Sequence, residues 1–77
     1  MKLVKIYGAG CTKCKQMEAA VRRVIAELQF DAQVEKVEDV QAIALAGVLR
    51  TPALSVDGEI KISGRIPRDE EIEDWLA

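Results

Sequence analysis

Tyr7-Gly8-Ala9-Gly10-Cys11-Thr12-Lys13-Cys14 places two cysteines two residues apart, between a β-branched apolar run and a helical pattern. They are the chain's only cysteines, so they can pair only with each other, with a metal or with a partner. On the first turn of a helix, two sulfurs at this spacing can close a small disulfide ring. The first thiol falls among the free backbone N–H groups of the helix N-terminus. Those donors and the helix dipole stabilise a thiolate. The second lies a turn deeper, where it should be shielded. Gly8-Ala9-Gly10 reads as a loop in which the backbone turns sharply or comes close to another segment. With no third glycine and no Gly-Lys-Ser/Thr after it, the loop is not a phosphate cradle.

Working outward, 77 residues predict one domain over 1–77 with a modest core. A hydrophobic fraction of 49% and a net charge of −2 fit a globular chain. No basic cluster appears, which excludes a nucleic-acid partner. No apolar run approaches the ~20 residues that span a bilayer, so no membrane is expected. Met1-Lys2-Leu3-Val4-Lys5-Ile6 is too short and too interrupted for a signal peptide. The expected location is the cytoplasm, where a lone cysteine pair is more often catalytic or metal-binding than a structural staple. The absence of histidine excludes any chemistry that needs imidazole.

Lys2 to Tyr7 reads as a mostly buried strand. Thr12 to about Gln29 reads as a helix, with Cys14, Met17, Val21, Val24, Ile25 and Leu28 on one apolar stripe. Glu18 with Arg22, and Arg23 with Glu27, stand at ion-pair spacing. Ala32 to Val37 reads as a second strand, with Ala32, Val34 and Lys36 on one face. Glu38-Asp39 opens a short helix, Val40 to Ala46, with Val40, Ile43 and Ala44 inward and Gly47 at its C-cap. Ala53 to Val56 and Glu59 to Ser63 read as strands of a hairpin turning at Asp57-Gly58, with Ile60 and Ile62 on one face. Ile66 to Ala77 reads as a last helix, with Pro67 in its first turn, Asp69-Glu70-Glu71 at its positive end, and Ile72, Trp75 and Leu76 inward.

The order is β-α-β-α-β-β-α. The first two strands should be parallel through a right-handed crossover, and the last two antiparallel. The expected fold is α/β, a four-stranded mixed sheet with helices on both faces.

With Cys11-Thr12-Lys13-Cys14 after the first strand and Thr51-Pro52 before the third, the chain resembles the thioredoxin and glutaredoxin superfamily along its whole length. It is most similar to small archaeal and bacterial thioredoxin-like redox-active disulfide proteins, through Ile6-Tyr7-Gly8-x-Gly10-Cys11, Val56-Asp57-Gly58-Glu59 and Gly64-Arg65. The resemblance implies that Cys11 is the exposed nucleophile and that Cys14 resolves the mixed disulfide. It implies a cis Pro52 against the cysteine pair, a Thr51 whose backbone receives a substrate chain, and a Gly64 that keeps the groove rim low, with Gly10 beside the first cysteine. Two departures stand out. Ordinary thioredoxins have Trp before the first cysteine and Gly-Pro between the pair, where this chain has Gly10 and Thr12-Lys13. Nothing here matches the residues with which glutaredoxins hold glutathione.

The function this implies is a small thiol–disulfide oxidoreductase that reduces protein disulfides. It needs no bound cofactor and takes electrons from a thioredoxin-reductase-like protein or a small thiol. Lys13 and Lys15 would favour the Cys11 thiolate, or would form a solvated helix face. A monomer is expected. The alternative is binding or transfer of a soft metal such as Cu(I), because small copper chaperones also carry Cys-x-x-Cys after their first strand. Their element order differs, and the methionine they usually carry two residues before the first cysteine is here Ala9. Two thiolates alone also make a poor closed zinc site, so no metal ligand set is assigned.

Overall fold

Leu3, Val4, Ile6 and Tyr7 make Lys2–Tyr7 apolar on both faces, and this strand, β1, lies inside the sheet. The computed structural model describes residues 1–10 and 12–77. The elements that follow are α1 (Thr12–Leu28), β2 (Ala32–Val37), α2 (Val40–Leu45), β3 (Ala53–Val56), β4 (Glu59–Ser63) and α3 (Asp69–Leu76). The strand order is β2-β1-β3-β4. β1 runs parallel to β2, with Tyr7 opposite Val37, and antiparallel to β3, with Tyr7 opposite Ala53. β3 and β4 are antiparallel. This is the α/β thioredoxin-type fold that the sequence led us to expect.

Alternation along the strands divides the core in two. Val4, Ile6, Leu54 and Val56 face Met17, Val21 and Val24 of α1 and Ile72 and Leu76 of α3. On the other face Tyr7 and Ala53 meet Ile43 of α2 and Val48. Met17 and Leu54 are almost fully enclosed, and truncating either to alanine costs about 2–5 kcal/mol in such a setting. The buried Ser55 hydroxyl lies 3.3 Å from Tyr7 Oη, so the polar group inside β3 has a partner. Trp75 is partly buried against the first cluster. Among the described residues, no helix is long and apolar enough to cross a membrane.

The structure departs from the sequence reading at several places. Leu28, expected on the stripe of α1, is half-exposed, because the helix stops there. Gln29 turns left-handed (φ 56°), and Phe30 N–H reaches back to Ile25 C=O at 3.1 Å. Val40 and Ala44, expected inward, are exposed. α2 has six residues, capped by the Asp39 carboxylate on Gln41 N–H, and that length buries only Ile43. Gly47 (φ 81°) sits one residue beyond the C-cap, Ala46.

In the hairpin, Asp57 and Gly58 both take positive φ (51° and 86°), as a two-residue type I′ turn requires. A bulge then shifts the register so that Ile60 pairs with Ser55 but Ile62 pairs with Leu54. The two isoleucines therefore fall on opposite faces, and Lys61 is the extra residue. Lys36 shares the face of Val34, as expected, but is exposed and pairs with Glu18 at 3.5 Å.

The last helix begins at Asp69, not Ile66. Pro67 and Arg68 stay outside it, and Arg68 is extended at the N-cap (φ −79°, ψ 158°). Glu71 Oε1 accepts from Arg68 N–H at 2.9 Å, and both its oxygens accept from the Arg65 guanidinium at 2.9 Å. The Arg65 hydrogen bonds, then that of Arg68 N–H, hold the Glu71 carboxyl down at about 2. A depressed carboxylate stabilises the fold above its unfolded value, near 4.3, and that stability is lost as pH falls through the folded value. Denaturant titration of the protein and Glu71→Gln should show the variant weaker at pH 7, with the gap narrowing below about pH 4.5 and closing near pH 2. A gap that does not change with pH would remove this account.

Candidate active site

The sheet registers place the site. Val37, Tyr7, Ala53 and Ser63 form one row across the four strands. Gly8, Pro52 and Gly64 occupy the next row, just past the ends of the ladders. Gly8 N–H donates to Val37 C=O at 3.0 Å, and Gly64 N–H donates to Pro52 C=O at 2.9 Å. These bonds fix Gly8 to the end of β2 and Gly64 to Pro52. The Thr51–Pro52 peptide is cis and Pro52 is buried.

Cys14 enters this row from α1. It lies on the apolar stripe with Met17 and Val21 and is 7% exposed, as its spacing predicted. It is not a free thiol here, its sulfur being engaged in a disulfide. Gly8 is buried directly against it. A Cβ built on Gly8 would run into Cys14 Sγ, and it would stand 3.3 Å from Cys14 Cβ and 3.7 Å from Thr51 Cβ. Backbone alone fits between Cys14 and Thr51, which is what the glycine supplies. The expected nucleophile, Cys11, lies outside the described residues.

Of the other expected residues, Gly10 (φ 68°) and Lys15 line a cleft of about 50 Å³ beside Cys14. Lys13 is exposed. Gly64 takes φ 88°, and the Arg50 side chain crosses it. A Cβ there would meet Arg50 Cδ at 3.3 Å and Arg50 Cβ at 3.5 Å. Among the described residues, no group of three or more histidine, cysteine, aspartate and glutamate side chains could hold a metal.

The sequence reading passed over Glu18, Lys36 and Glu38, which share the cleft with Cys14. Glu18 was legible in principle, since it stands four residues after Cys14 and so on the same helix face. Lys36 comes from the neighbouring strand, and only the parallel register brings it there. The Arg22 hydrogen bond at 3.0 Å, helped by Lys36, lowers the Glu18 pKa against the opposing pull of burial. The cleft thus has an ionised carboxylate beside a buried sulfur.

A thioredoxin-domain family model matches residues 2–77. The chain is 42% identical to a thioredoxin of Methanothermobacter thermautotrophicus over 77 residues, all of both chains. It is 41% identical over 76 residues to a thioredoxin of Methanocaldococcus jannaschii, covering 99% of this chain and 87% of that one. Among solved structures, mitochondrial thioredoxin 3 of Saccharomyces cerevisiae in its oxidised form superposes with a TM-score of 0.70 at 21% identity. That match covers 97% of this chain and 76% of the other. Oxidised thioredoxin of Plasmodium falciparum gives 0.68 at 16%, covering 99% and 82%. These two structures speak to the fold. The family match along nearly the whole chain and the two archaeal relatives carry the assignment: the chain belongs to the thioredoxin-domain family.

Proposed function

We propose that this protein is a thiol–disulfide oxidoreductase that reduces protein disulfides with Cys11 and Cys14. The observation that best supports this is the position of Cys14, buried and covered by Gly8, whose backbone lies between it and Thr51. A sulfur so enclosed can exchange with a neighbour in its own loop but not with a bulky partner.

In the proposed reaction the Cys11 thiolate attacks one sulfur of a partner's disulfide. That S–S bond breaks, and the departing partner thiolate takes up a proton. Cys14 then gives up its proton and attacks Cys11, which breaks the mixed disulfide and releases the second partner thiol. Two electrons and two protons have passed to the partner, and Cys11 and Cys14 are left as a disulfide. A reductase of the thioredoxin-reductase type or a small thiol returns both. Cys11 directly precedes α1, so the N-terminal N–H groups of that helix and Lys15 favour its thiolate. Glu18, held ionised in the cleft, suits a role near the Cys14 proton. The protein acts as a monomer in the cytoplasm, where thiols are kept reduced.

The test is insulin reduction with dithiothreitol beside a Cu(I) titration. Cys14→Ser should keep an attacking thiolate and lose its resolver, accumulating a mixed disulfide seen as a heavier band on a non-reducing gel. Cys11→Ser should trap little. Alkylation of Cys11 by iodoacetamide should titrate below the free-thiol value of about 8.5. Trapping by Cys11→Ser as strong as by Cys14→Ser would reverse the roles. No turnover by the unmodified protein, together with tight metal binding lost in both variants, would put metal transfer in place of redox chemistry.

Gly8→Ala tests the close approach at Cys14. The added methyl should cost about 1–3 kcal/mol of stability, as overpacking does. It should also lower insulin turnover, because the sulfur it meets must move. A variant of unchanged stability and rate would show that the contact is not needed.

A further inference from the structure

The chain has five arginines, and four have carboxylate partners. Arg22 pairs with Glu18, Arg23 with Asp69, Arg65 with Glu71, and Arg68 approaches Glu71 at 3.7 Å. Arg50 has none among the described residues. It is also the one placed at the site. It immediately precedes Thr51, and its stem lies across Gly64, whose N–H is bonded to Pro52. That packing holds the stem at the β4 side of the cis proline while the residue as a whole stays exposed. On the other side, towards β2, Lys15 lines the cleft beside Cys14; Lys13, two residues earlier in the chain, is exposed. Neither lysine has an ion pair among the described residues. The acids on that side, Glu18 and Glu38, are both within reach of Lys36. A chain of net charge −2 therefore presents unpaired cations on both sides of its groove.

We propose that Arg50 is a specificity-determining residue, whose guanidinium pairs with an acidic side chain next to the disulfide of the partner protein. This rests on the oxidoreductase reading and names the substrate class of that same site: disulfides flanked by aspartate or glutamate. An arginine fork matches a carboxylate through two parallel N–H donors, which gives orientation as well as attraction. Its stem is already packed on Gly64, so less side-chain freedom is lost on binding than for a free arginine. Lys13 and Lys15 add to the field that draws the acidic partner in.

The experiment compares three peptides that share one intramolecular disulfide and differ only in two flanking residues, both Glu, both Gln or both Lys. The protein is present in catalytic amount and kept reduced by dithiothreitol, whose uncatalysed rate is subtracted, and 2-hydroxyethyl disulfide serves as an uncharged small substrate. At low salt, kcat/KM should follow the order Glu, Gln, Lys, with about 3- to 5-fold between Glu and Gln, the worth of a good exposed pair. The difference should lie mainly in KM and should shrink in 0.5 M NaCl. In Arg50→Gln the Glu-to-Gln ratio should fall about 3-fold, while Arg50→Lys should keep the order with a smaller ratio. Equal rates on the Glu and Gln peptides would overturn the proposal, and that comparison needs no variant. A ratio that is unchanged in Arg50→Gln would overturn it as well. Failure to reduce 2-hydroxyethyl disulfide would instead overturn the oxidoreductase reading, and this proposal with it.

Discussion

The pairing of Tyr7 with Ala53 is the constraint on which the site depends. It joins the end of β1 to the start of β3, so whatever follows Tyr7 lies beside whatever precedes Ala53. Gly8 follows, and Thr51-Pro52 precedes. The same row continues to Val37 on one side and Ser63 on the other, which brings Gly64 alongside. A slip of one residue would exchange the faces of the strand. It would turn Val4 and Ile6 away from α1 and move Gly8 from under Cys14.

That register is held by what each face buries. The α1 and α3 side takes the larger aliphatic set, and the α2 side a smaller one built on Tyr7, Ile43, Val48 and Ala53. Asp57 adds a polar lock at the far end of the same strand pair. Its N–H donates to Leu3 C=O and its carboxylate accepts from Leu3 N–H, each at 2.8 Å. The turn that closes the hairpin therefore also fixes β1 against β3. Both ends of this short pairing are specified, one by the turn and the other by the packing of Gly8 and Pro52.

Much of this was legible in the sequence. All four strands, from Lys2–Tyr7 to Glu59–Ser63, follow from runs of apolar and β-branched residues bounded by turn signals. The junction carrying Cys11 and Cys14 follows from the switch to a helical pattern. What stayed hidden depends on partners distant in sequence. Alternation alone puts Ile60 and Ile62 together, and only the bulge opposite Leu54 separates them. Val40 and Ala44 have an inward spacing, but α2 is too short to use it. Pro67 marks a helix start in the abstract, yet Arg68 N–H finds its acceptor in Glu71 and the helix waits until Asp69. At the site, Cys14 and its burial were legible from its place in the stripe, while Thr51, Pro52 and Gly64 needed the family resemblance. Lys36 and Arg50 belong to the site only through strand register and through a glycine that leaves room for a side chain.

The distribution of charge follows the same division between what the fold needs and what a groove can use. An exposed ion pair contributes about 0–1 kcal/mol, because water screens it and two flexible chains must be ordered. Leaving Arg50, Lys13 and Lys15 unpaired thus costs this small domain little stability. Two pairs join separate segments: Arg23 of α1 with Asp69 of α3, and Lys36 of β2 with Glu18 of α1. At the groove an internal carboxylate partner would do the opposite. It would neutralise the rim and would have to be displaced before a partner's acid could bind. An incoming chain can thus meet the cations beside the site without breaking an ion pair among the described residues.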